Sequence, residues 1–209
     1  MNILLTGFEP FGGETINPAQ QIIEAISHKH EAVSTALIPC EFASLRSNLQ
    51  RAVALTSPDA ILCLGQAGSR PAISIERVAI NLIAAPIPDN LGYQPAEQAV
   101  VEAAPAAYFS NLPVKAMTKA ILDLGIPATL SYTAGTYLCN QLMFEALHLA
   151  AKRDLQAGFI HLPYLPEQVL NKPKFPSMAL NLQIQAVQAA IQAIVDKPVD
   201  IEAIHGSTH

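Results

Sequence analysis

The residue with the most chemical potential in this 209-residue sequence is Cys139, set in the stretch TAGTYLCNQLMFEAL, 133 to 147. Ala134-Gly135-Thr136 can turn tightly, and the helix expected after it places the thiol in its first turn. There, free amide N–H groups and the helix dipole favour an anion and lower a thiol's pKa. A cysteine can also be no more than a small buried apolar group, and the local stretch by itself leaves both readings open. Nucleophilic use requires a base. His161 follows the apolar run Gly158-Phe159-Ile160 at the expected end of a strand, although a strand-end histidine can simply be hydrogen-bonded. An orienting carboxylate completes such a set, and Glu76 is the odd residue in ISIERVAINL; a charge there is costly unless paired. Arg77, its neighbour, points to the opposite side if the segment is one strand.

The elements that must position these residues alternate between strand and helix. NILLT (2–6) reads as a buried strand stopped by Gly7, and AILCLG (60–65) as another ending in glycine. Asn17-Pro18 reads as a helix cap followed by proline in the first helical position, ahead of AQQIIEAI. Strands are expected at 33–39, 73–83, 126–132 and 158–163, and helices at 42–55, 114–125, from 138 onward and at 179–196. Residues 84–113 hold five prolines and two Asn/Gly turn signals, which predicts a long irregular excursion from the sheet. The pattern implies one α/β domain over 1–209, a three-layer α/β/α sandwich with an open, twisted, mostly parallel sheet covered by helices on both faces. A frayed tail is expected from about 201. Ligand sites in such folds lie beyond the carboxyl ends of strands.

Composition narrows the function classes. A net charge of -5 without Lys/Arg clusters disfavours nucleic acid as a partner. The opening MNILLTG lacks a basic leader, and no apolar run reaches the ~18 residues of a membrane span, so a cytoplasmic protein with no membrane partner is expected. Cys40, Cys63 and Cys139 have no metal-ligand or disulfide spacing, and His28, His30, His205 and His209 lie in polar stretches; no metal and no cofactor are expected. The 51% hydrophobic content and mean hydropathy of +0.29 suit a large core and subunit interfaces. The loop TGFEPFGG (6–13) could cradle phosphate, but it lacks the lysine of a P-loop and the G-x-G-x-x-G spacing.

Read together, LLTGFEPFGGETINPA, GQAGSRPAISIERVAIN, IPDNLGYQP, TAGTYLCNQLMF and GFIHLPYLPEQ resemble the pyroglutamyl peptidase I family, over most of the chain and in the family's own order. The resemblance implies an α/β/α cysteine peptidase that removes an N-terminal 5-oxoproline residue from peptides through a Cys139/His161/Glu76 triad and a thioester. It also implies a lactam pocket walled by Phe8 and Phe11 with Asn17 behind them, further walls from Ile87, Tyr137 and Leu138, and main-chain hydrogen bonds from Gln66. Members of that family are often tetramers or dimers, so a homo-oligomer is expected. The sequence departs from the family pattern at Pro86, where an arginine usually precedes IPDN, at Ser69, where glycine is frequent, and at Tyr132, where a small polar residue is usual. The departure at Pro86 raises an alternative, a weakly active homologue that binds pyroglutamyl ligands.

Overall fold

Buried apolar runs and helical stripes alternate along the chain as the periodicity demands, and a computed structural model describes the result for residues 1–27, 32–197 and 199–202. The elements are β1 (Ile3–Phe8), α1 (Pro18–Ser27), β2 (Val33–Ile38), α2 (Phe42–Thr56), β3 (Ala60–Gln66), β4 (Ile73–Glu76) and β5 (Val78–Ile80). They continue with β6 (Ala107–Phe109), α3 (Val114–Asp123), β7 (Ala128–Ser131), α4 (Leu138–Ala150), β8 (Gln156–Leu162) and α5 (Leu180–Asp196), with a 3-10 turn at Pro166–Val169. His28, His30, His205 and His209 lie outside the described residues.

Six strands form one sheet in the order β2-β1-β3-β8-β4-β7. The first four run parallel; β4 is antiparallel to β8 and parallel to β7. The sheet is therefore mostly parallel, as expected. β1 and β3 are buried along their whole length, because helices cover both their faces, and their side chains are apolar or small except for Gln66 at the end of β3. One face sends Ile3, Leu5, Leu62, Leu64, Ile160 and Leu162 into a core shared with α1, α3 and α5. The other sends Leu4, Phe8, Ile61, Cys63 and Phe159 into a core shared with α2 and α4.

Local chemistry fixes the entry to α1. Asn17 Oδ1 accepts the Ala19 amide at 2.9 Å, one residue past Pro18, as the cap reading requires. The two strand glycines behave otherwise than expected. β1 and β3 run through Gly7 and Gly65 instead of stopping there. A Cβ on Gly7 would lie 2.8 Å from Ala19 O, so glycine serves the close approach of α1.

The segment 73–83 is two strands, not one. Arg77 breaks it: its amide donates to Ser131 O at 2.7 Å, still in the main sheet, while its side chain donates to Ser110 O and lies over the Phe109 ring. β5 then leaves to pair with β6. The excursion 84–113 is accordingly less irregular than the prolines suggest, since it contains β6 and returns Gln98 to bridge Ile83.

Candidate active site

The antiparallel step between β8 and β4 builds the acid–base pair. Ser74 lies opposite His161 and Glu76 opposite Phe159, so these four side chains share a sheet face and Glu76 is diagonal to His161. His161 Nδ1 and Glu76 Oε1 are 2.7 Å apart, and both residues are buried. The bond sets the imidazole orientation and leaves Nε2 for other partners.

Arg70 reaches the same carboxylate. Its Nη1 donates to Glu76 Oε1 at 2.5 Å and to Ser131 Oγ at 3.1 Å, and its Nη2 donates to Thr133 O at 2.8 Å. The charge on Glu76 is thus paired on a strand face where it would otherwise be untenable. One guanidinium also ties the acid to the loop that leads into α4.

Cys139 is the second residue of α4 and is buried. Gln141 is the first amide of this turn to find an acceptor within it, Tyr137 O at 3.1 Å; the Leu138, Cys139 and Asn140 N–H groups precede it and have no intrahelical acceptor. The sulfur hangs over β3: a Cβ on Gly65 would lie 2.7 Å from Cys139 Sγ and 2.6 Å from the Phe159 ring. Gly65 is the register partner of His161. The missing side chain at 65 is therefore what lets the thiol settle over β3, at the strand position paired with His161.

Asn140 holds the helix start in place. Its Oδ1 accepts the Ile80 amide, and its Nδ2 donates to Ile80 O and Leu82 O, at 2.8 to 2.9 Å. A single asparagine inside a helix that is buried nearly all round was the available signal for this clamp.

The other sequence-nominated residues divide into two groups. Phe8 and Leu138 are buried in the same core as Cys139. The Phe11 ring lies 6.1 Å from that of Tyr137, which stands edge-on to Phe42 at 5.2 Å. Tyr137 donates its hydroxyl to Pro88 O at 3.0 Å. Ile87 is 39% exposed, with its Cδ1 3.5 Å from where a Gly12 side chain would begin.

Asn17 and Gln66 instead spend their side chains on bracing. Asn17 Nδ2 donates to Glu9 O and its Oδ1 caps α1. Gln66, on the face of β3 away from the thiol, accepts from Gln168 Nε2 at 2.8 Å. Gln168 also donates to Glu14 Oε2 and Ile16 O, and Glu14 pairs with Lys172. Sequence reading passed over Gln168, which joins three loops. Its polarity within PEQ gave no hint of how deeply it is buried.

The sequence profile of the pyroglutamyl peptidase family matches residues 1–197. The chain belongs to the pyroglutamyl peptidase family. It is 47% identical to the pyrrolidone-carboxylate peptidase of Streptococcus suis over 215 residues, covering 100% of both chains. Among solved structures, pyroglutamyl peptidase I from Bacillus amyloliquefaciens superposes with a TM-score of 0.94 at 40% identity, over 97% of this chain and 100% of that one. The pyrrolidone carboxyl peptidase of Thermococcus litoralis superposes with a TM-score of 0.92 at 42% identity, over 97% and 98%.

Two properties of this pyroglutamyl peptidase family member differ from what its sequence suggests. The first is the thiol. Burial, joined by the charge on Glu76, pushes Cys139 up to about 12 despite the opposing Arg70, so burial outweighs the lowering expected from a helix start. Burial also pulls His161 below its usual value, against the hydrogen bond and charge of Glu76 and with a further push from Arg70. Cysteine and histidine therefore rest as a neutral pair. The second is the cation. Pro86 stands exposed where the resemblance anticipates arginine, and the guanidinium at the buried carboxylate is that of Arg70.

Among the described residues, no group of three or more His, Cys, Asp or Glu side chains could hold a metal ion, and no helix is long and apolar enough to cross a membrane.

Proposed function

We propose that this protein hydrolyses the amide bond that follows an N-terminal pyroglutamyl residue of peptides, with Cys139 as nucleophile, His161 as proton carrier and Glu76 as the orienting carboxylate. The observation that carries this reading is the buried Glu76–His161 hydrogen bond beside Gly65, the strand position over which Cys139 Sγ lies. Family membership supplies the substrate class.

Because the resting pair is neutral, the thiol gives up its proton during attack. Sγ bonds to the carbonyl carbon as its proton passes to His161 Nε2, and Glu76 stabilises the imidazolium through Nδ1. The oxyanion takes hydrogen bonds from amides of the α4 first turn and of the loop after β3. When the tetrahedral adduct collapses, the leaving amine takes the proton from His161 and the pyroglutamyl group remains as a thioester. His161 then removes a proton from water, which attacks the thioester; the released thiolate regains that proton and pyroglutamate departs.

The pocket suits a small neutral ring. Phe8, Phe11, Ile87, Tyr137 and Leu138 provide apolar and aromatic walls, Asn17 holds the first loop, and main-chain groups at Gln66 meet the lactam. A glutamate or glutamine N-terminus brings a free ammonium that would be buried unpaired, so such peptides are rejected. The test is release of the fluorophore from a pyroglutamyl coumarylamide. Wild type is expected to release it and Cys139→Ala is not; absence of turnover by wild type would sink the proposal.

A further inference from the structure

The α2/α4 layer does not extend across the whole sheet. α4 packs on β3, β8, β5 and β6, whereas β4 and β7 are backed by α3 on the opposite face. On the thiol's side, this leaves an open cleft of about 880 Å³ lined by Arg70, Ser74, Thr129, Leu130, Ser131 and Thr133, among others. Register places Ser74 beside Thr129, and Glu76 beside Ser131. The cleft floor is therefore the same strand face that carries Glu76 and His161, and Arg70 is a shared wall, since its guanidinium binds Glu76 on one side and Ser131 and Thr133 on the other.

β7 is the last strand of the sheet. Ile73 donates to Pro127 O and Arg77 to Ser131 O, so the odd-numbered residues of β7 face β4 and the backbone groups of Ala128 and Leu130 face outward. The Leu130 side chain packs into the core on the other face, so this residue meets the cleft through its backbone. Its carbonyl accepts the Thr129 hydroxyl at 3.3 Å. An exposed strand edge bordered by hydroxyls is a template for an extended peptide.

We propose that this cleft receives the polypeptide that follows the pyroglutamyl residue, held by main-chain pairing along the outer edge of β7. The inference rests on the proposed peptidase reading. A bound substrate has its ring under Phe11 and Tyr137, its scissile carbonyl at Cys139, and its remaining chain running past Arg70 onto the open face. Recognition through the main chain makes the site indifferent to which side chains follow the ring.

The test measures binding to the Cys139→Ala protein by calorimetry, with pyroglutamyl amide and a pyroglutamyl-octaalanine amide as ligands, the longer one spanning the roughly 19 Å, about four strand spacings, from β3 to the outer edge of β7. The longer ligand is expected to bind about tenfold more tightly, the equivalent of about 1.4 kcal/mol and within reach of two main-chain hydrogen bonds. N-methylation of its last three alanines, or the cleft-filling substitution Thr129→Trp added to the protein, should remove that gain. A Thr129→Trp protein with a native circular dichroism spectrum and undiminished preference for the long ligand overturns the proposal, as does equal affinity for the two ligands in the parent protein. If Thr129→Trp alters only the sedimentation coefficient, the edge is a contact between copies of the chain and the proposal falls. Failure of both ligands to bind would count against the peptidase reading itself, whereas equal binding leaves that reading intact.

Discussion

On the face of the sheet under α1, α3 and α5, the strands β1, β3 and β8 present Ile3, Leu5, Leu62, Leu64, Ile160 and Leu162, none more than 1% exposed. On the face under α2 and α4 the same three strands present Thr6, Cys63, Gly65, Phe159 and His161, and β4 adds Ser74 and Glu76. Both faces are buried. The difference lies in what burial does there. The first face gains stability from apolar area, while the second holds polar groups that lean on one another: His161 on Glu76 Oε1, and the same oxygen on Arg70, with Glu76 Oε2 buried without a hydrogen bond. Burial on this face also pushes the Cys139 thiol up to about 12.

If the polar face carries the chemistry, substitutions there should remove turnover while the apolar face governs stability. The largest effect is expected from Cys139→Ala, a loss of kcat of roughly 10⁶-fold on the coumarylamide; measurable residual turnover near wild type would break the comparison at once. Next is Glu76→Gln, which keeps the shape but loses the imidazole's orientation and charge partner, with kcat falling on the order of 10⁴-fold.

The two strand glycines sharpen the contrast. Gly65→Ala places a methyl group against Cys139 Sγ and the Phe159 ring, and displacing the sulfur should cost roughly 10²-fold in kcat/KM. Gly7→Ala meets the Ala19 backbone on the other face and should cost about 1–3 kcal/mol in urea unfolding, with kcat retained. A Gly7→Ala protein as inactive as Gly65→Ala would show that the two faces are not separable.

The smallest effect is on pH dependence. Because burial holds His161 below the ordinary imidazole value of 6.5, the imidazole stays neutral and able to accept a proton into acid, and the lower limb of kcat/KM should fall below pH 6.5. The unfolded chain binds that proton more readily, so the contribution of His161 to stability is present above pH 6.5 and is lost as the pH falls through its folded value. Arg70→Gln removes a cation that lowers His161 and should move the limb toward higher pH. An unmoved limb would detach Arg70 from the imidazole.

Much of this was legible in the sequence, because strand and helix periods are local and because Asn17-Pro18, Gly125 and the buried runs at 3–6 and 60–64 carry their own geometry. Gly125, with φ at +74°, ends the α3 segment where the pattern places the stop. What escaped notice depended on distant pairing. Nothing within ISIERVAINLI says that β5 leaves the main sheet after Arg77; the partner that draws it away, β6, lies about thirty residues downstream in a segment whose prolines suggest irregularity. Gly7 and Gly65 read as strand stops because a glycine's use as a gap is visible only once its neighbour across the gap is known. The helix-start effect on Cys139 was a sound local inference, but depth of burial belongs to the assembled fold and outweighed it. Asn140 and Gln168 reach their partners over separations of 60 and 102 positions, beyond any local pattern.

The antiparallel placement of β4 beside β8 also bears on how the protein is made. Glu76 and His161 stand 85 positions apart, and Gly65, which admits the sulfur, belongs to a third strand. No early fragment of the nascent chain contains all the parts, and pairings this far apart in sequence are slow to close. A growing or half-folded chain therefore lacks the Glu76–His161 pair, which comes together only when β4 closes against β8.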